Sequence, residues 1–131
     1  MQFSLLIYYP ADDFARRNDP ARREAFRAAW LLYFAALREA GILAGGTGLQ
    51  PPAEATVVRL RHGQRLVEDG PYAESKEQLG GVIMIDVPDI AAAVDWLWRC
   101  PAIHTGAVEL RPNLPPVASL LSTARTDAMA G

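Results

Sequence analysis

The chain carries only two helical patterns of apolar residues among several strand patterns, so its helices are too few to cover both faces of a sheet. Residues 2–9 are rich in apolar, β-branched and aromatic types and end at Pro10, which predicts a buried first strand. The first helix is predicted to begin at Asp19-Pro20 and to end at Gly41. Its apolar residues recur at the spacing of one helix face, which predicts a stripe against the core: Phe26, Trp30, Tyr33 and Leu37.

The middle of the chain alternates turn residues with short apolar runs. Residues 45–52 are rich in glycine and proline and predict a loop. Strands are predicted at 55–61 and 64–68, joined by a tight turn at His62-Gly63. A second loop over 69–81 is followed by the strongly apolar strand at 82–85.

The second half closes with one more helix and one more strand. Pro88-Asp89 is predicted to open the helix, and Pro101 to end it at Cys100. Residues 107–111 alternate as a last strand, and residues 113–131 are predicted to form an extended tail after a domain over 1–112. The order predicts an α+β fold with two helices on one face of a mainly antiparallel sheet.

Composition narrows the classes of function. A length of 131 residues with 50% hydrophobic residues predicts a single folded domain, and a formal charge of −2 argues against nucleic acid as a partner. No apolar run is long enough to cross a bilayer, and no basic segment opens the chain, so we expect no membrane and a cytoplasmic location. The lone Cys100 fits a reducing compartment.

The two histidines, His62 and His104, are too few for a three-histidine metal site and lack a carboxylate at helical spacing. We therefore predict no metal and no cofactor. The sheet face without helices would be an exposed apolar patch, so we expect a homodimer that packs sheet on sheet.

One segment, residues 67–81 (VEDGPYAESKEQLGG), is highly distinctive. It resembles the motif of the DGPF proteins, the YCII-related family, and the resemblance extends over nearly the whole chain except the tail. The family resemblance implies a ferredoxin-like subunit that pairs into a dimeric α+β barrel. A related YCII-like group includes a dehydrochlorinase of a chlorinated aromatic, with a His-Asp pair as its proposed active site. Asp69 stands where that aspartate is expected, but the helix predicted over 20–40 contains no histidine.

Asp69 and His104 are the candidate catalytic residues. In an apolar pocket, Asp69 would be desolvated and suited to proton transfer near neutrality, whereas in a turn its carboxylate would bond backbone amides beside Gly70 and Pro71. His104, at the start of the last strand, is the histidine suited to act as a general base.

Three further residues are candidates for substrate binding. Tyr72 offers an aromatic face and a hydroxyl, or else packs in the core. Lys76 would bind an anion or pair with Glu74 or Glu77. Arg111 would clamp a carboxylate or neutralise Glu109 on the same strand face.

Two classes of function follow. The first is a small-molecule-binding protein or a cofactor-free, lyase-like enzyme with its pocket at the Asp-Gly-Pro-Tyr loop (residues 69–72). The second is a non-catalytic dimeric regulatory module, because proteins with this motif resemble companions of transcriptional regulators such as extracytoplasmic sigma factors. In a third interpretation the motif only maintains loop and dimer geometry.

Overall fold

The first strand, β1 (Gln2–Pro10), is the centre of the protein. The structure is a computed structural model that describes residues 1–130, apart from the side chains at 126, 129 and 130. Alternate residues of β1 are buried, namely Phe3, Leu5, Ile7 and Tyr9, and the residues between them are partly exposed. The strand therefore presents one face to the core and the other outward.

Four strands form an open antiparallel sheet. Their order is β2 (Leu43–Gly48), β5 (Glu77–Asp86), β1 and β6 (Ala107–Pro112). A separate two-stranded sheet is formed by β3 (Thr56–Arg61) and β4 (Gln64–Asp69). Within residues 1–130 neither sheet closes into a barrel. The predictions of an α+β fold and of a mainly antiparallel sheet are confirmed.

The long helix α2 (Arg23–Glu39) covers the buried face of the sheet. Trp30, Tyr33 and Leu37 of the predicted stripe are buried, and Phe26 is partly buried against the same core. Helix α3 (Ile90–Leu97) begins where the sequence predicted, because the Asp89 carboxylate accepts a hydrogen bond from the Ala92 amide at 2.9 Å. The His62-Gly63 turn is also confirmed, with positive φ at both residues.

Residues 1–130 contain four α-helices rather than the two that were predicted. Residues 11–18 form α1 (Ala11–Asn18), although their mixed charge gave no apolar stripe in the sequence. Acidic residues lie in its first turn and basic residues in its last, which suits the helix dipole. The prediction of an extended tail was also wrong, because residues 117–130 form the helix α4 (Val117–Ala130). Alanine and leucine residues in this segment have high helix propensity. The end of that predicted tail, residue 131, lies outside the described residues.

Several element boundaries also differ from the prediction, and α3 ends at Leu97 rather than at Cys100. Helix α2 starts at Arg23 because Asp19 instead forms a turn, accepting from the amides of Ala21 and Arg22. The predicted loop at 45–52 contains most of β2, and β5 begins at Glu77 rather than at residue 82. Pairing between these two strands supplies backbone hydrogen bonds that the glycine-rich sequence does not reveal.

Candidate functional site

Two clefts lie beneath α2 on the helix side of the sheet. The larger one, called here the β2-side cleft, has a volume of about 780 Å³ and lies between α2 and strands β2 and β5. The smaller one, the Asp13 cleft, has a volume of about 430 Å³ and lies between α2, α1 and the short 3-10 turn Pro101–His104. Tyr9, Phe26 and Trp30 line both clefts, so a wall of three aromatic rings separates them.

This aromatic wall is rigidly packed. The Tyr9 ring contacts Phe26 and Trp30 edge to face, with ring centroids 5.8 and 6.2 Å apart. Burial raises the pKa of the Tyr9 hydroxyl well above its usual value, so this group stays protonated at neutral pH. The wall therefore offers apolar surface and one neutral hydroxyl at the base of the two clefts.

Asp13 is the one buried charged residue in the described part of the chain. Its carboxylate accepts a hydrogen bond from the Arg16 guanidinium and another from the Thr105 hydroxyl, both at 2.5 Å. These contacts join α1 to the segment before β6, far apart in the sequence. Because a buried carboxylate is costly without partners, the two bonds fix Asp13 in a single position on the cleft wall.

His104 lies in the same Asp13 cleft. It ends the 3-10 turn that packs beside β6, and its side chain is exposed. Arg99 also lines this cleft, with its guanidinium 4.2 Å from the centroid of the Trp96 ring. The cleft thus combines an exposed imidazole, a fixed carboxylate and a cation.

Asp69 lies at the exposed end of β4, opposite Thr56, and lines none of the clefts described here. Its side chain makes no hydrogen bond within residues 1–130. The turn is held instead by the Gly70 amide, which donates to the Ala55 carbonyl at 2.8 Å, with Gly70 at a φ of +101°. The predicted bonding of backbone amides by the Asp69 carboxylate is therefore wrong, and its catalytic role stays a prediction.

Tyr72 and Lys76 lie in the loop between β4 and β5. Tyr72 is 74% exposed, not packed in the core, and the Arg59 guanidinium lies 4.8 Å from its ring centroid. It lines a cavity of about 620 Å³ on the motif loop, which Tyr8 and Gln78 also line. Lys76 lines a smaller neighbouring cavity of about 240 Å³. Within the described residues Lys76 forms no ion pair with Glu74 or Glu77.

Arg111 is on the outward sheet face and pairs with Glu109, at 3.1 Å between Nε and Oε2. The Tyr8 hydroxyl donates to the other oxygen of this carboxylate at 3.0 Å. The pKa of Glu109 is held below its usual value, chiefly by the hydrogen bond from Tyr8 and next by the one from Arg111. The predicted neutralisation of Arg111 by Glu109 is confirmed.

The five predicted site residues are thus not brought together. Tyr72 and Lys76 share the motif loop, Arg111 is on the open sheet face, and His104 is on the helix side. Sequence reasoning missed Asp13. Its only signal was an acidic pair at 12–13 directly after a buried strand, and nothing in the pattern indicates which of the two is buried.

Comparison with known proteins gives the family. A family model described as the YCII-related domain matches residues 1–115. The chain belongs to the YCII-related family. A protein of Rhizobium meliloti (strain 1021), named uncharacterized protein R00369, is 38% identical over 76 residues. The match covers 56% of this chain and 61% of that relative, so the chain spans less than two thirds of the relative's length.

In this YCII-related chain, several motif residues have structural roles. The Gln78 side-chain amide donates to the carbonyls of Ala73 and Ser75, at 2.9 and 3.1 Å, and so holds the loop closed. At Gly80 a side chain would collide with Tyr9, because a Cβ would lie 2.2 Å from the ring. The second half of the motif thus holds the loop and lets β5 approach the aromatic wall.

Two features are absent from the described residues. Residues 1–130 contain no group of three or more His, Cys, Asp or Glu side chains placed to hold a metal ion. No helix among the elements described for this YCII-related chain is long and apolar enough to cross a membrane.

Proposed function

We propose that the protein binds a small molecule beneath α2 and transfers a proton there, as a cofactor-free, lyase-like enzyme. The observation that carries the proposal is the shared position of His104 and the buried Asp13 in one cleft. This location replaces the Asp-Gly-Pro-Tyr loop as the proposed site, because the exposed Asp69 lines none of the clefts described. Tyr72 and Lys76 remain candidates for ligand contact at the motif loop.

The proposed roles follow from the contacts. His104 is the general base, since an imidazole nitrogen can accept a proton and its side chain is accessible. Asp13 is a positioning residue, because both its oxygens are already bonded, to Arg16 and Thr105. Its bond to the Thr105 hydroxyl joins the segment that carries the neighbouring His104 to α1 and so fixes the position of that segment.

The reaction is a redox-neutral elimination. His104 would take a proton from a carbon of the substrate, the electrons of the broken C–H bond would form a double bond, and a leaving group would depart from the adjacent carbon with its electron pair. Arg99 supplies positive charge on the same cleft wall for the negative charge that develops. This elimination needs no oxidant, reductant or metal, because the proton and the electron pair are both accounted for.

The test uses the two histidines as a matched pair. Thermal shift would first identify ligands among small carboxylates, phenols and chlorinated aromatics, because a ligand of the native state raises the melting temperature. We expect H62N to retain binding and turnover, and H104N to retain binding but lose turnover by about 100-fold or more, the usual contribution of a general base. Equal turnover in H62N and H104N would remove His104 from the mechanism.

We further propose that the subunit is ferredoxin-like and that two copies pack through the open sheet face. The antiparallel order β2-β5-β1-β6 supports the subunit topology. The partly exposed apolar residues Leu6, Val82 and Met84 support the pairing, because the strand register places them on the face opposite the helices.

A second function is favoured by one other surface. Val58 and Val67 are paired across the β3–β4 hairpin and are 71% and 69% exposed, with Leu60 on the same face at 64%. Such a patch suits a regulatory module that binds a protein partner. In that case V58K/V67K would abolish the protein's cellular role and H104N would leave it intact. If the protein is the proposed enzyme, H104N should abolish that role and V58K/V67K should leave it intact.

A further inference from the structure

The β2-side cleft has an unusual charge balance. Three arginines line it, Arg17, Arg23 and Arg27, and no aspartate or glutamate is among its described lining residues. The whole chain has a formal charge of −2, so this local positive charge is opposite in sign to the average. A cleft of one sign of charge with apolar walls attracts a ligand of the other sign.

Two of the three guanidiniums are available to a ligand. Arg17 is occupied in part, because it donates to the backbone carbonyls of Gly80 and Leu49. The Arg23 and Arg27 side chains are exposed and form no hydrogen bond or ion pair with any described residue. They are four residues apart on α2, so they lie one turn apart on the same helix side.

The rest of the cleft is apolar and aromatic. Phe26, Trp30 and Phe34 of α2 line it, and the Trp30 and Phe34 rings are 5.6 Å apart between centroids. Opposite them lie glycines of β2 and β5, which have no side chains to narrow the cleft. Flat apolar walls with a pair of free guanidiniums at one side suit a planar ring that carries a carboxylate.

We propose that the β2-side cleft is a second ligand site, separate from the Asp13 cleft, and that it binds an aromatic carboxylate with the ring against Trp30 and Phe34 and the carboxylate on Arg23 and Arg27. The arginines are binding residues and take no part in proton transfer. The proposal distinguishes carboxylates from neutral aromatic compounds of the same shape, because only the anion gains charge-assisted hydrogen bonds.

The test compares 2-naphthoate with 2-naphthamide by isothermal titration calorimetry. We expect the wild type to bind the carboxylate about 10-fold more tightly, the usual gain from hydrogen bonds to an anion at a partly exposed site. Raising the NaCl concentration should weaken binding of the carboxylate and leave that of the amide unchanged. R23Q/R27Q should remove the preference and retain the wild-type affinity for the amide.

A charge-matched control is available on the β3–β4 hairpin. R61Q/R65Q removes the same charge from exposed positions that do not line the cleft, and it should retain the preference. If this control loses the preference equally, net charge explains the effect and the inference is wrong. Equal affinity of the wild type for both compounds would also overturn the inference while leaving ligand binding in place.

Failure of the proposed function gives a different result. If neither compound binds to the wild type, while its melting curve shows a folded protein, the inference is wrong, whereas the proposed chemistry in the Asp13 cleft is tested separately by H104N.

Discussion

Asp12 and Asp13 are adjacent carboxylates in opposite environments. The Asp12 side chain is 71% exposed, whereas that of Asp13 is 3% exposed and bonded to Arg16 and Thr105. The difference comes from the direction of each side chain on α1 and from the packing of distant residues around one of them. A sequence pattern cannot contain that information, which is why Asp13 was missed while the exposed Asp69 was selected.

The Asp13 network can be tested by D13N. The amide is similar in shape but removes the negative charge that balances the partly exposed Arg16, so we expect the free energy of unfolding to fall by about 1–3 kcal/mol. Urea denaturation measures this loss. D12N is the matched control and should change stability by less than about 0.5 kcal/mol, as is usual at exposed positions. Equal losses in D12N and D13N would contradict a structural role for the buried bonds.

At the scale of elements, local signals identified the parts of the chain whose own residues determine their structure. The stripe of α2, the cap of α3 and the His62-Gly63 turn each depend on neighbouring residues, and each is confirmed. Strand β2 was not predicted because its bonds come from β5, more than thirty residues away. Helix α1 was not predicted because Phe14 is its one apolar core residue and the residues around it are mostly polar or charged. Helix α4 was not predicted because its small residues are equally typical of an extended tail.

The cap of α3 provides a prediction at this scale. D89A removes the bond to the Ala92 amide and should lower the free energy of unfolding by about 1 kcal/mol, the usual cost of losing an N-cap. D95A, at an exposed position within the same helix, is the control and should have little effect. Thermal and urea denaturation of both variants give the comparison. A D89A protein as stable as D95A would show that the cap contributes nothing.

At the scale of the whole molecule, one sheet face is covered by helices and the other is open. The covered face contains the core, and the open face contains both apolar side chains and the polar group of Tyr8, Glu109 and Arg111. Because these three polar residues already satisfy one another, they can be covered at a lower cost than unpaired groups. The fold class followed from the sequence, but the way the two clefts and the open face are arranged depends on packing across the entire chain.

Pairing of two copies through this face is tested by L6E. A carboxylate at the centre of a sheet-on-sheet interface would be buried without a partner, so we expect the protein to become a monomer that retains its far-ultraviolet circular dichroism. Light scattering coupled to size-exclusion chromatography measures the mass. V58E, on the exposed face of the separate hairpin, should leave the mass unchanged. A wild-type protein of monomeric mass at high concentration would exclude the pairing.

Stability of the whole molecule should also fall at alkaline pH. Burial raises the pKa of the Cys100 thiol to about 11, from an ordinary value near 9, and burial also raises the pKa of Tyr9 and Tyr33. The unfolded chain therefore releases these protons at lower pH than the folded chain, so the stabilisation is complete below pH 9 and is lost as the pH rises. For Cys100 the loss between pH 9 and 11 is about 2–3 kcal/mol.

The measurement is urea denaturation of the wild type and C100A at several pH values from 8 to 11. The variant is expected to be less stable at pH 8, because it leaves a small cavity, but to lose less stability as the pH rises. Parallel curves for the two proteins would contradict a role for the thiol.

Because Cys100 is buried, the rate at which its thiol is labelled measures how often the core opens. It is the single cysteine among 131 residues and is fully buried in the core. An alkylating reagent reacts with the thiolate form of cysteine. The folded protein disfavours this form and shields the sulfur from solvent, so labelling requires the core to open. The mass added over time, with and without a ligand beneath α2, therefore reports how much that ligand slows the opening of the whole domain.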